Sequence, residues 1–489
     1  MNLRSDTRYP WLVLSVTSLG VLLVLLNVGS LNVALPIVSQ HFHAGVIASN
    51  WILLSYMLVN TILILVFGQF ADIFGRRRLY LIGLITFTLS SFLVGFSPNI
   101  TTLILLRAIQ GVGGALLITN TTALITDAFP RQLLGSGLGI NVLVASSAQL
   151  LGPVLGGLMA STLGWRWVFW FNVPIGLIDF FLAFAILRDI SHSKSREKVD
   201  LTGGLIIFAS LSGLITSLSE GSILGWGSPA VISGFALFII LIPVFILVES
   251  RAPSPMVDFA MFHKRPFTMA NIATFLNSFS MTAVILLIAL FYQVAYKENA
   301  FEAGFKVLPV TIGMILISPI AGSLTKKYSA RLLSSLGLAG STVGLFILAA
   351  TLGPNTSYWL EGTGMLLVGL GSGLFLTPNT TTIMSGVSEN RRGIANGVRS
   401  MLNNMGQVLS TALVLMIVTA ALPARLKAVI FAGSAASLPA SDLNLIVIGY
   451  RYAFATLMIA TLIGMFASLL RGENRQKLKK VKLQSLVEK

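Results

Sequence analysis

The sequence has no cysteine and only four histidines among its 489 residues. Without cysteine the chain cannot form a disulfide, a thiolate metal site or a cysteine nucleophile. The histidines form no HExxH zinc motif, and the GxxxxGK[ST] phosphate-binding loop is absent as well. We therefore expect no catalytic residue, no metal site and no cofactor, and an ATP-driven pump would need a separate motor subunit.

Charge is scarce too: only 10% of the residues are Asp, Glu, Lys or Arg, against about 25% in a soluble globular domain. Apolar residues make up 55%, and the mean hydropathy is +0.86. A soluble protein of this composition would expose large apolar patches, so lipid is the expected solvent. Apolar stretches of about 20 residues, long enough to span a bilayer, recur along the chain. They predict fourteen spans with approximate bounds 11–33, 49–71, 79–97, 101–125, 134–161, 167–187, 203–219, 229–249, 267–295, 304–325, 331–352, 359–385, 393–421 and 449–470.

The distribution of Lys and Arg predicts the orientation of these spans. If the N-terminus is inside, most of the 33 basic residues lie in inner segments. The positive-inside rule then predicts a multi-pass plasma-membrane protein with both termini in the cytoplasm. The net charge of +16 reflects this topology, and we expect no nucleic acid as a partner. The basic tail either attracts anionic membrane lipid or only flanks the last span.

The spans form two groups with a similar pattern. Gly68 and Arg76 surround the loop after the second span, and Gly322 and Arg331 surround the loop after the tenth. Weak internal symmetry of this kind is typical of transporters whose substrate site lies between two repeats. The prediction is an all-α polytopic membrane protein: an N-terminal six-helix bundle (1–190), two extra linker helices (191–265), a C-terminal six-helix bundle (266–470) and a basic cytoplasmic tail (471–489).

Four segments resemble motifs of the major facilitator superfamily. Residues 68–78 (GQFADIFGRRR) resemble its signature loop between spans two and three, and residues 107–115 (RAIQGVGGA) resemble its motif in span four. Residues 152–157 (GPVLGG) resemble its antiporter motif. Residues 165–176 (WRWVFWFNVPIG) resemble a motif of the fourteen-span drug:proton antiporter branch. The resemblance implies the major facilitator fold, with two six-helix bundles and two extra central helices.

The resemblance also implies roles for individual residues. It assigns Arg107 to proton coupling, although a buried arginine can equally be a structural hydrogen-bonding centre. Since Arg does not readily release its proton, it would act on a neighbouring acid or water. The remaining motif residues would form a gate and conformational motif. They are Gly68, Asp72, Gly75 and Arg76 in the first motif, and Gly152, Pro153, Gly156 and Gly157 in span five. The proline would kink span five, and its glycines would let it pack closely against the other bundle.

One position departs from this pattern. Drug antiporters of the branch commonly carry an Asp in span one, where this chain has Asn27. Because an amide cannot titrate, another acid must carry the proton if transport is proton-coupled. Asp179, which the sequence places near the middle of span six, is the candidate. The alternative is that Asp179 is satisfied by a neighbouring helix or lies at the periphery of the bundle.

Neutral amides inside spans are the candidates for the substrate cavity. Leaving an amide without a hydrogen-bond partner in lipid costs roughly several kcal/mol of free energy, so these side chains should face the cavity or each other. Hydrogen bonds between helices are the alternative for about half of them. The cavity candidates are Asn27, Asn32, Asn120, Asn141, Gln149, Asn277, Gln293 and Asn379.

These features predict a secondary active transporter that acts as a monomer. We expect proton-coupled efflux of small hydrophobic or amphipathic compounds, of the multidrug type, by alternating access. Because Asn27 replaces the usual acid, the alternative is a lipid or metabolite exporter, or a proton-independent transporter. A membrane enzyme is not expected, since the spans contain neither an acid pair nor a buried histidine and leave no room for a soluble catalytic domain.

Overall fold

The computed structural model describes residues 8–472 except 45, 131, 189–199, 253–254, 256, 258, 297, 299, 389–390, 421 and 424–439. Throughout this described part the ordered elements are helices and no strand occurs. They are α1 (Tyr9–His41), α2 (Val46–Phe74), α3 (Arg76–Val94), α4 (Ile100–Ala128), α5 (Leu134–Thr162), α6 (Trp167–Trp170), α7 (Asn172–Ile186), α8 (Leu201–Leu224), α9 (Pro229–Arg251), α10 (Phe259–His263), α11 (Arg265–Tyr296), α12 (Ala300–Lys306), α13 (Leu308–Leu324), α14 (Ala330–Thr351), α15 (Tyr358–Ser385), α16 (Arg392–Ala420) and α17 (Ala440–Leu470).

Short polar side chains begin several of these helices. Asn99 accepts a hydrogen bond from the backbone N–H of Thr102 at 2.9 Å, and Asp200 accepts one from Gly203 at 2.8 Å. Each cap satisfies a donor that the first turn of a helix leaves unpaired. The loops therefore end where the sequence supplies a cap, and α4 and α8 start at defined positions.

Within the described residues, eleven helical segments are long and apolar enough to cross a membrane, one of which runs through α6 and α7. Helices α8 and α13 each contain a shorter apolar segment. The clearest case is α9, whose most apolar stretch has a mean hydropathy of 3.0 although only 11% of that stretch is buried inside the protein. An apolar helix with so little protein contact requires lipid around it. The chain is thus a multi-pass membrane protein, and the count of fourteen spans stays a prediction.

Helices α1–α7, here the N-terminal group, pack mainly on one another, with α4 in contact with α1, α2 and α3. Helices α11–α17, here the C-terminal group, do the same through α15 and α17. The pair α8 and α9 packs on itself, and α8 contacts α2 and α16. The two groups meet mainly along α2 with α16 and along α5 with α13.

One end of the assembly collects the start of α1, the turn between α2 and α3, and the ends of α4 and α7. The guanidinium of Arg188, just after α7, lies 4.6 Å from the ring centre of Tyr9 at the start of α1. Arg76 at the start of α3 pairs with Asp127 at the end of α4. We call this end the basic face. It is the end that the positive-inside rule predicts to be cytoplasmic.

Candidate functional site

An ion bridge joins the two helix groups at the basic face. One carboxylate oxygen of Asp127 pairs with Arg76 of α3, and the other lies 3.0 Å from Nη1 of Arg392 in α16. All three side chains are largely buried. Gly75, which precedes Arg76, has a φ of 90°, a conformation that glycine adopts without strain. The sharp turn after α2 thus aims Arg76 at the bridge, which we call the latch (Arg76, Asp127 and Arg392).

Close backbone contact accompanies the latch. A side chain at Gly68 of α2 would meet the carbonyl oxygen of Gly393 in α16 at 2.8 Å. Beside it, Asn396 Nδ2 donates to the carbonyl oxygen of Thr119 in α4 at 2.7 Å. The motif glycine therefore allows α2 to approach the start of α16. The side chain of Asp72, in the same motif, lies outside the described residues.

A second close contact between the groups lies at the same end. A side chain on Gly139 of α5 would meet the carbonyl oxygen of Ser318 in α13 at 2.6 Å. One turn earlier, Gly135 would meet that of Gly322 at 2.8 Å. Because α5 starts and α13 ends at the basic face, this contact and the latch both hold the groups together there.

Arg107 of α4 is the centre of a buried polar network toward the opposite end. Its Nη1 donates to Asn27 Oδ1 at 2.6 Å and to Gln110 Oε1 at 2.5 Å, and its Nε donates to the Ile52 carbonyl at 3.2 Å. The guanidinium also lies 4.4 Å from the ring centre of Tyr56. Every one of these partners is neutral. Asn27 therefore accepts a hydrogen bond at the position where the branch commonly has a carboxylate, and its own Nδ2 has no partner.

Asp179 of α7 is fully buried inside the N-terminal group. The Tyr80 hydroxyl of α3 donates to its Oδ2 at 3.0 Å, and its Oδ1 has no hydrogen-bond partner. Asp179 is seven residues from the basic end of α7, about 10 Å along that helix, and Tyr80 is four residues from the start of α3, about 6 Å, so the pair lies between the basic face and the middle of the span. A carboxylate with one unpartnered oxygen can accept a proton there.

The structure does not bring the two predicted proton-coupling residues together. The Arg107 network reaches α3 through Gln110, which donates to Ser91 at 2.6 Å, whereas Asp179 meets α3 at Tyr80. Eleven residues separate Ser91 from Tyr80, which is about 16 Å along a helix. The two charges therefore cannot form a direct pair in this conformation.

Comparison with known proteins identifies the family. The sequence pattern described as Major Facilitator Superfamily matches residues 17–411. The chain belongs to the major facilitator superfamily. It is thus a membrane transporter of small molecules, in a family of transporters rather than enzymes.

Several curated relatives are similar over most of the chain. Multidrug resistance protein Stp of Mycobacterium tuberculosis is 31% identical over 421 residues, 86% of this chain and 78% of Stp. The riboflavin transporter RibZ of Clostridioides difficile is 30% identical over 405 residues, 83% of this chain and 87% of RibZ. A tetracenomycin C resistance and export protein of Streptomyces glaucescens is 28% identical over 407 residues, 82% of this chain and 75% of that protein.

Solved structures show the same fold. The human organic anion transporter MFSD10 superposes with a TM-score of 0.65 at 14% identity and covers 94% of this chain and 99% of its own. The proton:xylose symporter XylE superposes with a TM-score of 0.64 at 14% identity, covering 93% and 95%. The all-helical major facilitator fold is therefore confirmed.

The glycines of the antiporter motif pack differently from our expectation. A side chain on Gly152 would meet Gly29 of α1 at 3.0 Å, and one on Gly156 would meet the backbone of Ser30. Ser30 Oγ also donates to the Gly152 carbonyl at 3.0 Å. Both glycines thus join α5 to α1 within the N-terminal group, and it is Gly135 and Gly139 that contact the other group. Helix α5 continues through Pro153, whose side chain lies outside the described residues, and Gly157 is half-buried.

The predicted cavity amides divide into hydrogen-bonded and accessible residues. Asn277 accepts from Ser372 at 3.1 Å, and Asn379 donates to Thr274 at 2.8 Å and to the Ala270 carbonyl at 3.0 Å, so both link helices of the C-terminal group. Asn120 donates to its own helix. Asn141 is half-buried and Gln149 is exposed. The side chains of Asn32 and Gln293 lie outside the described residues.

Three charged residues have partners that the sequence alone does not show. Arg471, expected in the basic tail, is 2% exposed and donates to Asn379 Oδ1 at 2.6 Å. Glu361, in the first turn of α15, is fully buried and accepts from Tyr292 of α11. Asp127 had no assigned role in the sequence analysis, although an acid at the end of a span, on the same side as the basic loop of a signature motif, could have indicated an ion pair.

The rest of the tail, residues 473–489, lies outside the described part. In the part of the chain that is described, no cluster of three or more metal-ligating side chains occurs.

Proposed function

We propose that this protein exports small hydrophobic or amphipathic compounds in exchange for protons, by alternating access. The observation that carries the proposal is the latch, an ion bridge between two helix groups at one end of a major facilitator fold. A bridge confined to one face supports a cycle in which that face opens and closes. The names of the relatives, which include multidrug resistance and antibiotic export proteins, support efflux of the multidrug type.

Proton coupling is assigned to Asp179, with Arg107 as a positioning charge. Asp179 supports this role because it is buried inside a span and has one unpartnered oxygen. Ionisable residues inside spans are rare and usually functional. Protonation of this carboxylate would remove a charge from the region between α1, α3 and α7.

The alternative of a lipid or metabolite exporter, or a proton-independent transporter, has its own supporting observation. The hydrogen bond from Arg107 to Asn27 replaces an ion pair that could be broken by protonation. If that pair is the coupling element of the branch, this chain lacks it.

The further assignments belong to the same proposal. They are the fourteen-span branch, the division at 1–190, 191–265, 266–470 and 471–489, a plasma-membrane location with cytoplasmic termini, and function as a monomer. The basic face is then the cytoplasmic side, and the latch closes the cytoplasmic entrance.

The test is proton release from energised everted vesicles, followed with a pH-sensitive dye during addition of cationic, neutral and acidic compounds. A substrate entering the acidified lumen drives protons out, so the dye signal recovers. We expect recovery with wild type and with the control Glu220→Gln, and at least a tenfold slower rate with Asp179→Asn. Recovery that persists in Asp179→Asn excludes Asp179 as the carrier. Transport of a labelled compound without any proton release favours the alternative.

A further inference from the structure

We propose that Arg399 of α16 is the anion-binding residue of the cleft between the two helix groups, and that the transported compounds are amphipathic organic anions. The proposal deepens the export function and rests on it.

Arg399 lies between the two groups, just beyond their closed contact. Asn396, one turn earlier on α16, donates to the Thr119 carbonyl of α4, and Gly397 packs against the backbone of Ile64 and Leu65 in α2. Arg399 is three residues after Asn396 and four before Asn403, which accepts a hydrogen bond from Ser278 of α11. Residues three or four apart share a face of a helix, so Arg399 lies at the edge between the side of α16 that faces the N-terminal group and the side that packs on α11. It is half-buried, as are residues 401–405 after it. Five consecutive positions point around the whole helix, so part of this accessible surface faces the N-terminal group.

The hydrogen bonds of Arg399 leave its charge uncompensated. Its Nε and Nη2 donate to Asn396 Oδ1 at 3.1 and 3.0 Å, and Nη2 also donates to Ser400 Oγ at 3.2 Å. All of these acceptors are neutral and lie on its own helix. Nη1 has no acceptor, and no carboxylate pairs with this guanidinium in the described structure. A planar guanidinium held by its neighbours, with a free N–H edge, suits a carboxylate, sulfonate or phosphate.

The helices around the cleft carry no acid that opposes this charge. Along α1, α2, α4, α5, α11, α13, α15 and α16, the charged residues away from the terminal turns are Arg107 and Arg399. Asp127 is occupied by the latch, and Glu361, in the first turn of α15, is buried against Tyr292. Asp72 is in the last turn of α2. A cleft with charges of one sign and low-dielectric walls attracts ligands of the opposite sign.

The neighbours of Arg399 suit an apolar ligand body. Leu402, three residues after Arg399 on the same side of α16, is partly buried. Met401, Met405 and Val408 extend the apolar surface of α16 toward α2 and α8, whose buried cluster they contact. A positive group beside an apolar surface fits an organic anion with an aromatic or alkyl body better than it fits a free inorganic anion or a lipophilic cation.

The test uses three probes that share a naphthyl group and differ in charge: the anion 1-naphthaleneacetate, the neutral 1-naphthaleneacetamide and the cation (1-naphthylmethyl)trimethylammonium. Their binding to the purified full-length protein in detergent is measured by equilibrium dialysis. For wild type we expect the acetate to bind about tenfold or more tightly than the amide, from a charge-assisted hydrogen bond, and the ammonium to bind least. In Arg399→Gln the acetate and the amide should bind equally, and Arg399→Lys should retain part of the preference.

The control is Arg451→Gln, which removes the same charge from an exposed position on α17 and should leave all three affinities unchanged. Melting curves without ligand show whether each variant is folded. If Arg399→Gln is not folded, the reduced preference of Arg399→Lys for the acetate still tests the proposal. No preference for the acetate in wild type, or a preference that survives in Arg399→Gln, overturns the proposal. If inorganic sulfate displaces a bound probe as strongly as the acetate does, the claim that the ligands are amphipathic is overturned.

This measurement requires neither transport nor a proton gradient. Arg399-dependent binding of the acetate without proton release in everted vesicles would support the anion site and contradict the proposed proton exchange. Proton release driven only by cationic compounds would support proton exchange and contradict the anion site.

Discussion

Arg107 and Asn27 show that one side chain changes what a buried charge can do. The guanidinium is 1% exposed and donates to amide and carbonyl oxygens. With a carboxylate at position 27 it would belong to an ion pair that protonation can break. With an amide at position 27 the guanidinium donates to neutral acceptors only, so protonation at that position cannot break the contact.

The residue-scale prediction concerns Asn27→Asp. Aspartate has nearly the same shape, accepts from Arg107 as a carboxylate, and removes the buried Nδ2 that has no partner. We expect a gain of about 1–3 kcal/mol in stability, seen as a higher melting midpoint in detergent. Asn27→Leu should lower the midpoint, because Arg107 loses an acceptor. A lower midpoint for Asn27→Asp than for wild type would contradict this reading of the network.

At the scale of elements, α5 has two close-packing surfaces with different partners. Gly152 and Gly156 pack on α1 within the N-terminal group, whereas Gly135 and Gly139 pack on α13 of the C-terminal group. The first contact belongs to one group and is expected to persist through the transport cycle. The second joins the groups at the basic face and must separate when that face opens.

Substitutions on the two surfaces should therefore act differently. Gly156→Val is expected to lower the melting midpoint, because its side chain would overlap the backbone of Ser30, while Gly139→Val should shift the protein toward an open basic face. Opening is measured with Ser136→Cys, placed in a chain that has no other cysteine. A membrane-impermeant maleimide added to everted vesicles should label Ser136→Cys faster when Gly139→Val is present.

Equal labelling with and without Gly139→Val would show that the contact between α5 and α13 does not limit opening. Gly340→Val is the matched control, since a side chain there would meet its nearest atom only at 3.8 Å. It should change neither the labelling rate nor the melting midpoint.

At the scale of the whole molecule, the latch ties the N-terminal and C-terminal groups through one carboxylate. Asp127 contacts Arg76 of its own group and Arg392 of the other. Because the side chains are largely buried, salt screens this bridge less than a surface pair. Its loss should favour the conformation open at the basic face without disturbing either group.

The whole-molecule prediction is that Asp127→Asn shifts the ratio of closed to open protein by about 10- to 100-fold, the equivalent of roughly 1.5–3 kcal/mol. Spin labels on Phe74→Cys and Tyr328→Cys, both at exposed positions on opposite groups, report the separation by pulsed electron resonance. Longer distances should become populated in Asp127→Asn. A distribution unchanged from wild type would show that the glycine contacts alone close this face. Lys327→Gln, an exposed charge at the same end, serves as the control.

Helix positions could be predicted well from hydropathy alone. The spans expected at 229–249, 331–352 and 393–421 correspond to Pro229–Arg251, Ala330–Thr351 and Arg392–Ala420. Others differ for local reasons. The span expected at 304–325 divides into α12 and α13, whose second residue is Pro309, and the span expected at 11–33 continues to His41 because a helix can extend past its apolar core.

Site residues could be predicted only in part, because their roles depend on partners distant in sequence. Composition and motifs by themselves determined that the chain lies in lipid, that it resembles major facilitator transporters and that position 27 cannot titrate. Only the tertiary structure decided that Asn27 holds Arg107, that Asp179 meets Tyr80, and that Arg471 is buried in the C-terminal group. The reason is physical: hydropathy is a local property of each segment, whereas hydrogen bonds and ion pairs form between side chains that folding brings from separate helices.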